Sequence, residues 1–197
     1  IYLTTADNEG MMVSLIQSNY AGFGSGIADE TLGFTFQNRG AGFNLIPNSV
    51  NQYKPGKRPF HTIIPGFMHI KDPNNTSNWL PYYSFGVMGG AVQPQGHAQV
   101  ISGIVDYGLT VQETGDIARW THSGSTQPDG EIMNELGGRV TIESGICQSI
   151  GNELINMGHV VSYSPNSGGY QGILRDINNH VYYGGTELRK DGIALGY

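Results

Sequence analysis

The opening segment constrains the fold most, because two apolar stretches flank a strong turn signal. Residues 1–6, Ile-Tyr-Leu-Thr-Thr-Ala, favour a strand, and residues 7–10, Asp-Asn-Glu-Gly, are typical of a tight turn. Residues 11–20 continue as a second strand that ends in polar residues. The segment therefore predicts a β-hairpin, which a glycine-rich loop follows at residues 22–27.

The predicted hairpin starts at the first residue, although chain termini are commonly loose. Cleavage of a longer precursor is one physical explanation for such a start. We therefore expect this end of the chain to be a cleavage product and to lie in a functional site. A signal peptide would then belong to the other product, so the sequence leaves the compartment open.

Composition excludes several classes of function. Charged residues are 13% of the chain, against about 25% in an average protein, and glycine supplies 30 of the 197 residues. This favours tight turns and close-packed strands over disorder. The net charge of −6, with 10 Lys and Arg in total, argues against a nucleic-acid partner. No apolar run approaches the ~18 residues of a membrane span, so we expect a soluble chain.

The remaining pattern turns from strands to helices and back to strands. Strands are predicted at residues 31–37, 63–70, 82–87, 138–143, 159–164, 172–177 and 180–183. Helices are predicted at residues 95–107, from the capping box of Thr110 and Glu113 to about Trp120, and at 147–157, with a polar loop at 121–130. This order favours two packed sheets with helices outside them. Without an internal repeat or linker, we expect one domain spanning residues 1–197.

The hairpin resembles the start of the small subunit of γ-glutamyltranspeptidases, which are N-terminal-nucleophile hydrolases that cut themselves to expose a catalytic threonine. Asp7, Gly10, Ser18 and the Phe-Gly-Ser-Gly loop at residues 23–26 match the family register without a gap. In that register the nucleophilic threonine lies immediately before Ile1, outside this sequence.

Further segments extend the resemblance over the whole chain. They are Lys-Arg-Pro at residues 57–59, the pair Gly89 and Gly90, and the tail at residues 192–197. Residues 88–97 resemble a branch that includes the transpeptidase-like cephalosporin acylases. The resemblance implies an α+β fold, a four-layer αββα sandwich of the N-terminal-nucleophile hydrolase type. It also implies a large subunit from the same precursor as partner, and it allows a dimer of such heterodimers.

The catalytic chemistry implied by the resemblance needs no cofactor and no metal. A terminal threonine carries its own base, because an α-amine with a pKa of about 7.7–8.0 can take the hydroxyl proton. Gly89 and Gly90 match the family's oxyanion-hole pair, and Ser18 matches a threonine that supports the nucleophile. Outside this register, a Gly-Gly pair is ordinarily a turn and a serine at a strand end ordinarily bonds to water.

Substrate recognition is where the sequence departs from the family. Tyr20, Arg39 and Gly42 align with the Asn, Gln and Asp that hold the substrate α-amino group. An arginine there would repel an ammonium group. Arg39 could instead bind a carboxylate in a bidentate manner, and Asn38 beside it is a further candidate. The alternative for Arg39 is an ordinary surface or interface arginine.

The carboxylate-binding positions of the family align with His61 and Thr62, both of which can donate a hydrogen bond. A structural role for His61 is an equally open alternative. The histidines at positions 61, 69, 97 and 122 lack the spacing of metal ligands. Cys147, the single cysteine, excludes an intramolecular disulfide, and we expect it on the apolar face of a helix in the core.

The resemblance implies hydrolysis or transfer of an acyl group from a γ-glutamyl amide such as glutathione. The departure at Arg39 favours, as runner-up, a glutaryl- or cephalosporin-type acylase that does not require an α-amine. A non-catalytic homologue that only binds is the alternative from another class. The residue before Ile1 separates the classes, because only a threonine or serine there can serve as the nucleophile.

Overall fold

A computed structural model describes residues 1–124, 138–165 and 168–197. The strands are β1 (Tyr2–Ala6), β2 (Met12–Ile16), β3 (Gly66–Lys71), β4 (Trp79–Met88), β5 (Trp120–Ser123), β6 (Arg139–Ile142), β7 (Val160–Tyr163), β8 (Gly169–Asp176) and β9 (Val181–Thr186). The α-helices are α1 (Gln93–Val105), α2 (Val111–Asp116) and α3 (Gln148–Asn156). Single-turn 3₁₀ helices lie at Arg39–Gly42 and Gly90–Val92. This mixture of helices and sheets confirms the predicted α+β class.

The strands of the described residues form three sheets. β1 and β2 make the predicted antiparallel hairpin. A four-stranded antiparallel sheet has the order β3-β4-β8-β9, so strands distant in sequence meet at its centre. β5, β6 and β7 form the third sheet, in which β6 and β7 run parallel.

The hairpin turn forms because Asp7 satisfies the backbone around it. Its Oδ1 accepts hydrogen bonds from Glu9 N at 3.0 Å and from Met11 N at 2.9 Å. Gly10 has φ +95°, which favours glycine. The second strand is shorter than predicted and ends at Ile16. Gln17 still exchanges backbone hydrogen bonds with Ile1, and the chain then turns at Tyr20, whose φ is +78°.

The hairpin lies on one face of the four-stranded sheet, and hydroxyl groups join the two. Thr4 Oγ1 lies 2.7 Å from Ser84 Oγ in β4, and Tyr2 OH lies 3.3 Å from the same Ser84 Oγ. Gly86 leaves room for the Tyr2 ring, since a Cβ there would lie within 2.6 Å of Tyr2 Cγ. Alternate residues of a strand point to opposite faces, so the neighbouring side chains of β4 face the other way.

That other face of the sheet carries the hydrophobic core under α1 and α2. The core comprises Tyr83, Phe85, Val87, Val100, Val111 and Tyr170. The two tyrosine hydroxyls, from β4 and β8, lie 2.6 Å apart, and Tyr170 donates to the Val111 carbonyl at 3.0 Å. The buried hydroxyls are thereby satisfied, which an apolar core requires.

A buried ionic network fixes the segment after β9. Arg189 donates to Glu143 Oε1 at 2.7 Å, to Glu187 Oε2 at 2.9 Å and to the carbonyl of Ile117 at 2.8 Å. Glu187 is 2% exposed and also lies beside the buried Arg119, with an N–O distance of 4.0 Å. The network ties the C-terminal segment to the chain that leaves α2.

Two predicted elements are wrong in type or length. Residues 31–37 form no strand: only Thr35 makes a bridge, to Ala28, and Phe34 and Phe36 pack edge to face. The capping box of Thr110 and Glu113 is confirmed, but the helix ends at Asp116. Tertiary hydrogen bonds recruit residues 120–123, predicted as helix end and polar loop, into β5.

Three smaller differences also have local causes. The strand predicted at residues 63–70 begins only at Gly66, after Pro65, whereas Pro81 lies within β4 opposite a bulge at Met68/His69 that accommodates the missing donor. Cys147 is exposed at the start of α3 and does not belong to the core. The predicted polar loop beyond residue 124 lies outside the described residues as far as residue 130.

Candidate active site

Gly89 and Gly90 lie at the end of β4, in conformations that other residues rarely adopt. Their φ angles are +141° and +63°. Val92 N donates to Gly89 O at 3.3 Å, and because a peptide group is planar, this bond also orients the Gly90 N–H. Among the described residues, neither glycine N–H donates to a protein group. Within the described part of the chain, both are therefore candidate donors to a ligand.

Ser18 lies just beyond the end of the hairpin. Ile1 N donates to Gln17 O at 2.9 Å and Gln17 N donates to Ile1 O at 3.0 Å, so these two residues are a hydrogen-bonded antiparallel pair. Ser18 Oγ accepts from Tyr20 N at 2.8 Å. Its side chain is exposed, next to the paired end of both strands.

Arg39 brings three of the predicted site residues together. It is 7% exposed and donates to Thr62 Oγ1 and, at 3.1 Å, to Ser18 O. Its guanidinium carbon lies 5.4 Å from the centre of the Tyr20 ring, a cation–π distance. Because it is buried, Arg39 is not an ordinary surface arginine. Arg39 thus forms a cationic centre that joins the hairpin end to the segment before β3.

The other predicted residues surround this centre. Asn38 Oδ1 accepts from Ala21 N at 3.1 Å and thereby closes the loop between them. Gly42 lies at the end of the 3₁₀ helix that carries Arg39, and its carbonyl accepts from Asn51. His61 is exposed beside Thr62, and its ring forms no hydrogen bond within the described part of the chain.

Gln93 is the residue that sequence reasoning missed. It is 3% exposed; its Nε2 donates to Thr62 O and, at 3.1 Å, to Gly90 O, and its Oε1 accepts from Ile64 N at 3.1 Å. One carboxamide thus connects the glycine pair with Thr62. The available signal was a glutamine three residues after a Gly-Gly pair and directly before a helix-opening proline.

His97 supports the same strand end from α1. Its Nε2 accepts from Val87 N at 3.0 Å, two residues before Gly89, and its ring packs on Phe85. Burial lowers the pKa of His97 to about 4, so the ring is neutral near pH 7 and can accept this bond.

The polar site residues therefore form one hydrogen-bonded chain. It runs from Gly90 through Gln93, Thr62 and Arg39 to Ser18. A buried cation, a hydroxyl group and two backbone donors suit a ligand with a carboxylate near a polarised carbonyl group. Within the described ranges, no cluster of His, Cys, Asp and Glu is suited to a metal ion. None of the described helices combines the length and hydrophobicity that a membrane crossing needs.

Comparison with known proteins gives consistent matches over the whole chain. The family model described as gamma-glutamyltranspeptidase matches residues 1–197. The oxamate amidohydrolase proenzyme of Klebsiella pneumoniae subsp. pneumoniae is 30% identical over 100% of this chain and 35% of its own length. The glutathione hydrolase-like YwrD proenzyme of Bacillus subtilis is 31% identical over 99% of this chain and 35% of its own length.

A solved structure extends the comparison to three dimensions. The cephalosporin acylase from Bacillus halodurans has a TM-score of 0.83 and 41% identity, over 100% of this chain and 34% of the acylase chain. The present chain thus spans about a third of the length of the relatives it matches.

Proposed function

The chain belongs to the gamma-glutamyltranspeptidase family, and on that premise we propose that it is the catalytic small subunit of an N-terminal-nucleophile enzyme. The enzyme hydrolyses or transfers the acyl group of a γ-glutamyl amide such as glutathione. The reaction passes through an ester on a threonine that immediately precedes Ile1. Names of the relatives, which include glutathione hydrolase-like and oxamate amidohydrolase proenzymes, support amide chemistry.

The register of the hairpin is the observation that carries the proposal. In β1, Tyr2 packs on Gly86 and Thr4 lies beside Ser84, so β1 runs antiparallel to β4 beneath it. Continuing β1 backwards by one residue from Ile1 brings the chain level with Met88, directly before the glycine pair. Because alternate residues share a face, that residue would face the sheet as Tyr2 does.

The same extrapolation supports a role for Ser18. Ile1 and Gln17 are a hydrogen-bonded pair, so the preceding residue would pair with Ser18. Such non-hydrogen-bonded pairs have Cα atoms about 4.5 Å apart and side chains on one face. A threonine there would have the Ser18 hydroxyl as its neighbour and two backbone N–H donors at the adjoining strand end.

This arrangement suits a two-step acyl transfer. The α-amine takes the threonine proton as Oγ attacks the amide carbon, and Gly89 and Gly90 stabilise the oxyanion. The C–N bond then breaks, the departing amine takes the proton from the ammonium group, and the acyl group remains as an ester on threonine. Water or an acceptor amine then attacks that ester and gives its proton to the α-amine. The bond between the acyl carbon and Oγ breaks, Oγ takes that proton from the ammonium group, and the acyl product leaves.

Arg39, with Thr62 and the adjacent His61, is the proposed receptor for a carboxylate of the acyl group. Its buried guanidinium already donates to Thr62 and Ser18, and further N–H groups remain for a ligand. A glutaryl- or cephalosporin-type acylase is the second candidate. It is favoured because a cation replaces the usual α-amine contact, and because a cephalosporin acylase is 41% identical.

The partner we propose is the large subunit of the same precursor. The outward face of the hairpin is apolar and exposed, and its members are Ile1, Leu3, Met11, Val13 and Leu15. The two relatives named as proenzymes are about three times as long as this chain. We infer that the large subunit covers this face and adds the fourth layer of an αββα sandwich, with residues 1–197 as one domain.

The test is mass spectrometry of the purified, full precursor, before and after brief exposure to γ-glutamyl and glutaryl anilides. We expect a small subunit that begins with threonine and gains the mass of one acyl group. Preferential labelling by one donor would identify the acyl class. A precursor that stays uncleaved and unlabelled with both anilides would refute the proposed enzymatic function and favour a homologue that only binds.

A further inference from the structure

Helix α1 carries three glutamines whose side chains each form hydrogen bonds with backbone groups of another segment. Gln95 accepts from His122 N at 2.6 Å and donates to His122 O at 2.9 Å. Gln99 likewise accepts from Trp120 N at 3.0 Å and donates to Trp120 O at 2.8 Å. These two bind β5 to the helix. Gln93, at the start of the helix, instead bonds to Thr62 and Ile64 in the segment before β3, where the candidate site lies.

Gln93 is the most constrained of the three. Its carboxamide makes hydrogen bonds to three different residues, Thr62, Ile64 and Gly90, and the side chain is 3% exposed. A buried amide with all these bonds formed has one favoured orientation, and losing them leaves buried groups unsatisfied. Gln93 therefore fixes the distance between the backbone of Thr62 and that of Gly90.

The segment that Gln93 holds has no regular structure of its own. Residues 57–65 form neither helix nor strand before β3 begins. Their position must therefore come from side-chain hydrogen bonds. Gln93 donates to the Thr62 carbonyl, and Arg39 donates to the Thr62 hydroxyl. Removing the Gln93 bonds would leave Thr62 tied to Arg39 but not to the glycine pair.

We propose that Gln93 is a positioning residue that sets the spacing between the oxyanion glycines and the Arg39–Thr62 receptor. This spacing selects the length of the acyl chain between the scissile carbonyl and the carboxylate. The inference rests on the proposed function. It assigns to Gln93 no contact with the reacting atoms, so its effect reaches the substrate only through Gly90 and Thr62.

The test compares Gln93→Met with Gln99→Met in the full precursor. Methionine keeps the approximate volume and removes every amide hydrogen bond, and Gln99 is a matched control on the same helix. Steady-state kinetics with succinyl and glutaryl anilides, which differ by one methylene, give the preference for chain length. Hydrogen exchange of residues 59–66 reports the position of the segment without requiring activity.

We expect the wild type to separate the two donors in kcat/KM, because one methylene is worth about 10- to 200-fold in a fitted pocket. Gln93→Met should lower kcat about 10- to 100-fold, reduce the ratio between donors and accelerate exchange at residues 59–66. Gln99→Met should leave the ratio and this exchange unchanged.

Two results would overturn the inference. One is a Gln93→Met enzyme with the wild-type donor ratio and unchanged exchange. The other is an equal loss of kcat and of the donor ratio in Gln93→Met and Gln99→Met, which would indicate a general effect on stability. A wild type inactive on both donors, and on a γ-glutamyl anilide, would instead refute the proposed function. Hydrogen exchange at residues 59–66 would then decide by itself whether Gln93 fixes the position of this segment.

Discussion

Substitution of Gly86 by alanine tests the contact on which the site geometry depends. The new Cβ would lie 2.5 Å from Cε2 and 2.6 Å from Cγ of Tyr2, whereas ordinary contacts are 3.4–4 Å. The Tyr2 ring must therefore move by about 1 Å. Tyr2 is 6% exposed, and its hydroxyl lies 2.7 Å from Ser14 Oγ, so β1 must move with the ring.

This displacement has two expected consequences. Overpacking a filled core costs about 1–3 kcal/mol, which urea denaturation would measure as a lower free energy of unfolding. A misplacement of about 1 Å at the start of β1 should lower kcat roughly 100-fold, because catalysis depends on near-attack geometry. The kinetic loss should therefore exceed what a small loss of folded protein explains.

Two further variants make the experiment decisive. Gly196→Ala is the control, since a Cβ there meets nothing within 4 Å and its φ is not in the positive range. Tyr2→Val makes room, so Gly86→Ala should cost less in that background than in the wild type, with a coupling of at least 0.5 kcal/mol. Additive costs, or a Gly86→Ala enzyme with wild-type kcat, would refute the packing of the hairpin on β4.

Three other substitutions test separate features of the molecule. Arg189→Met removes the arginine that pairs with both Glu143 and Glu187 and should lower the free energy of unfolding by about 3–5 kcal/mol in urea, whereas a loss below 1 kcal/mol would contradict the buried network. Arg39→Met should raise KM for carboxylate-bearing donors roughly 10- to 100-fold, and Arg39→Lys should not restore it, because lysine lacks the planar fork; an unchanged KM would contradict the receptor. The folded pKa of His97, about 4, lies below the unfolded value of 6.5, so the unfolded state binds the proton first and stability falls as pH drops from 6.5 to 4, by roughly 3 kcal/mol. His97→Gln should flatten that part of the pH–stability profile, and an equal slope in both proteins would rule out His97 as its cause.

The connected site offers a physical reason why relatives of this chain are named for different substrates, such as oxamate and glutathione. In the proposed enzyme, backbone donors at the end of β4 would serve any amide carbonyl, whereas Arg39 and Thr62 would recognise the remote end of the acyl group. Because Gln93 links the two parts, a small change at this helix start would alter their spacing without changing either part. We expect specificity to depend on this link as much as on the residues that touch the substrate.

Local sequence patterns predicted much of the secondary structure. The hairpin follows from Asp7 and Gly10 at a turn between β-branched stretches, and the start of α2 from its capping box. Such signals act between residues close in sequence, so they are readable without a structure. Residues 31–37 misled the prediction, because alternation of Phe34 and Phe36 reflects their packing on each other rather than a sheet.

The sequence by itself determined the family, the α+β class and the candidate identities of Gly89, Gly90, Ser18 and Arg39. Only the tertiary structure decided that Arg39 is buried against Thr62, that Gln93 joins Thr62 to Gly90, and that Cys147 is exposed. The two contacts to Thr62 span some 20 to 30 residues of chain, and they involve an irregular segment whose path no periodicity encodes. Local propensity determines the secondary-structure elements, whereas long-range hydrogen bonds determine the spacing between them.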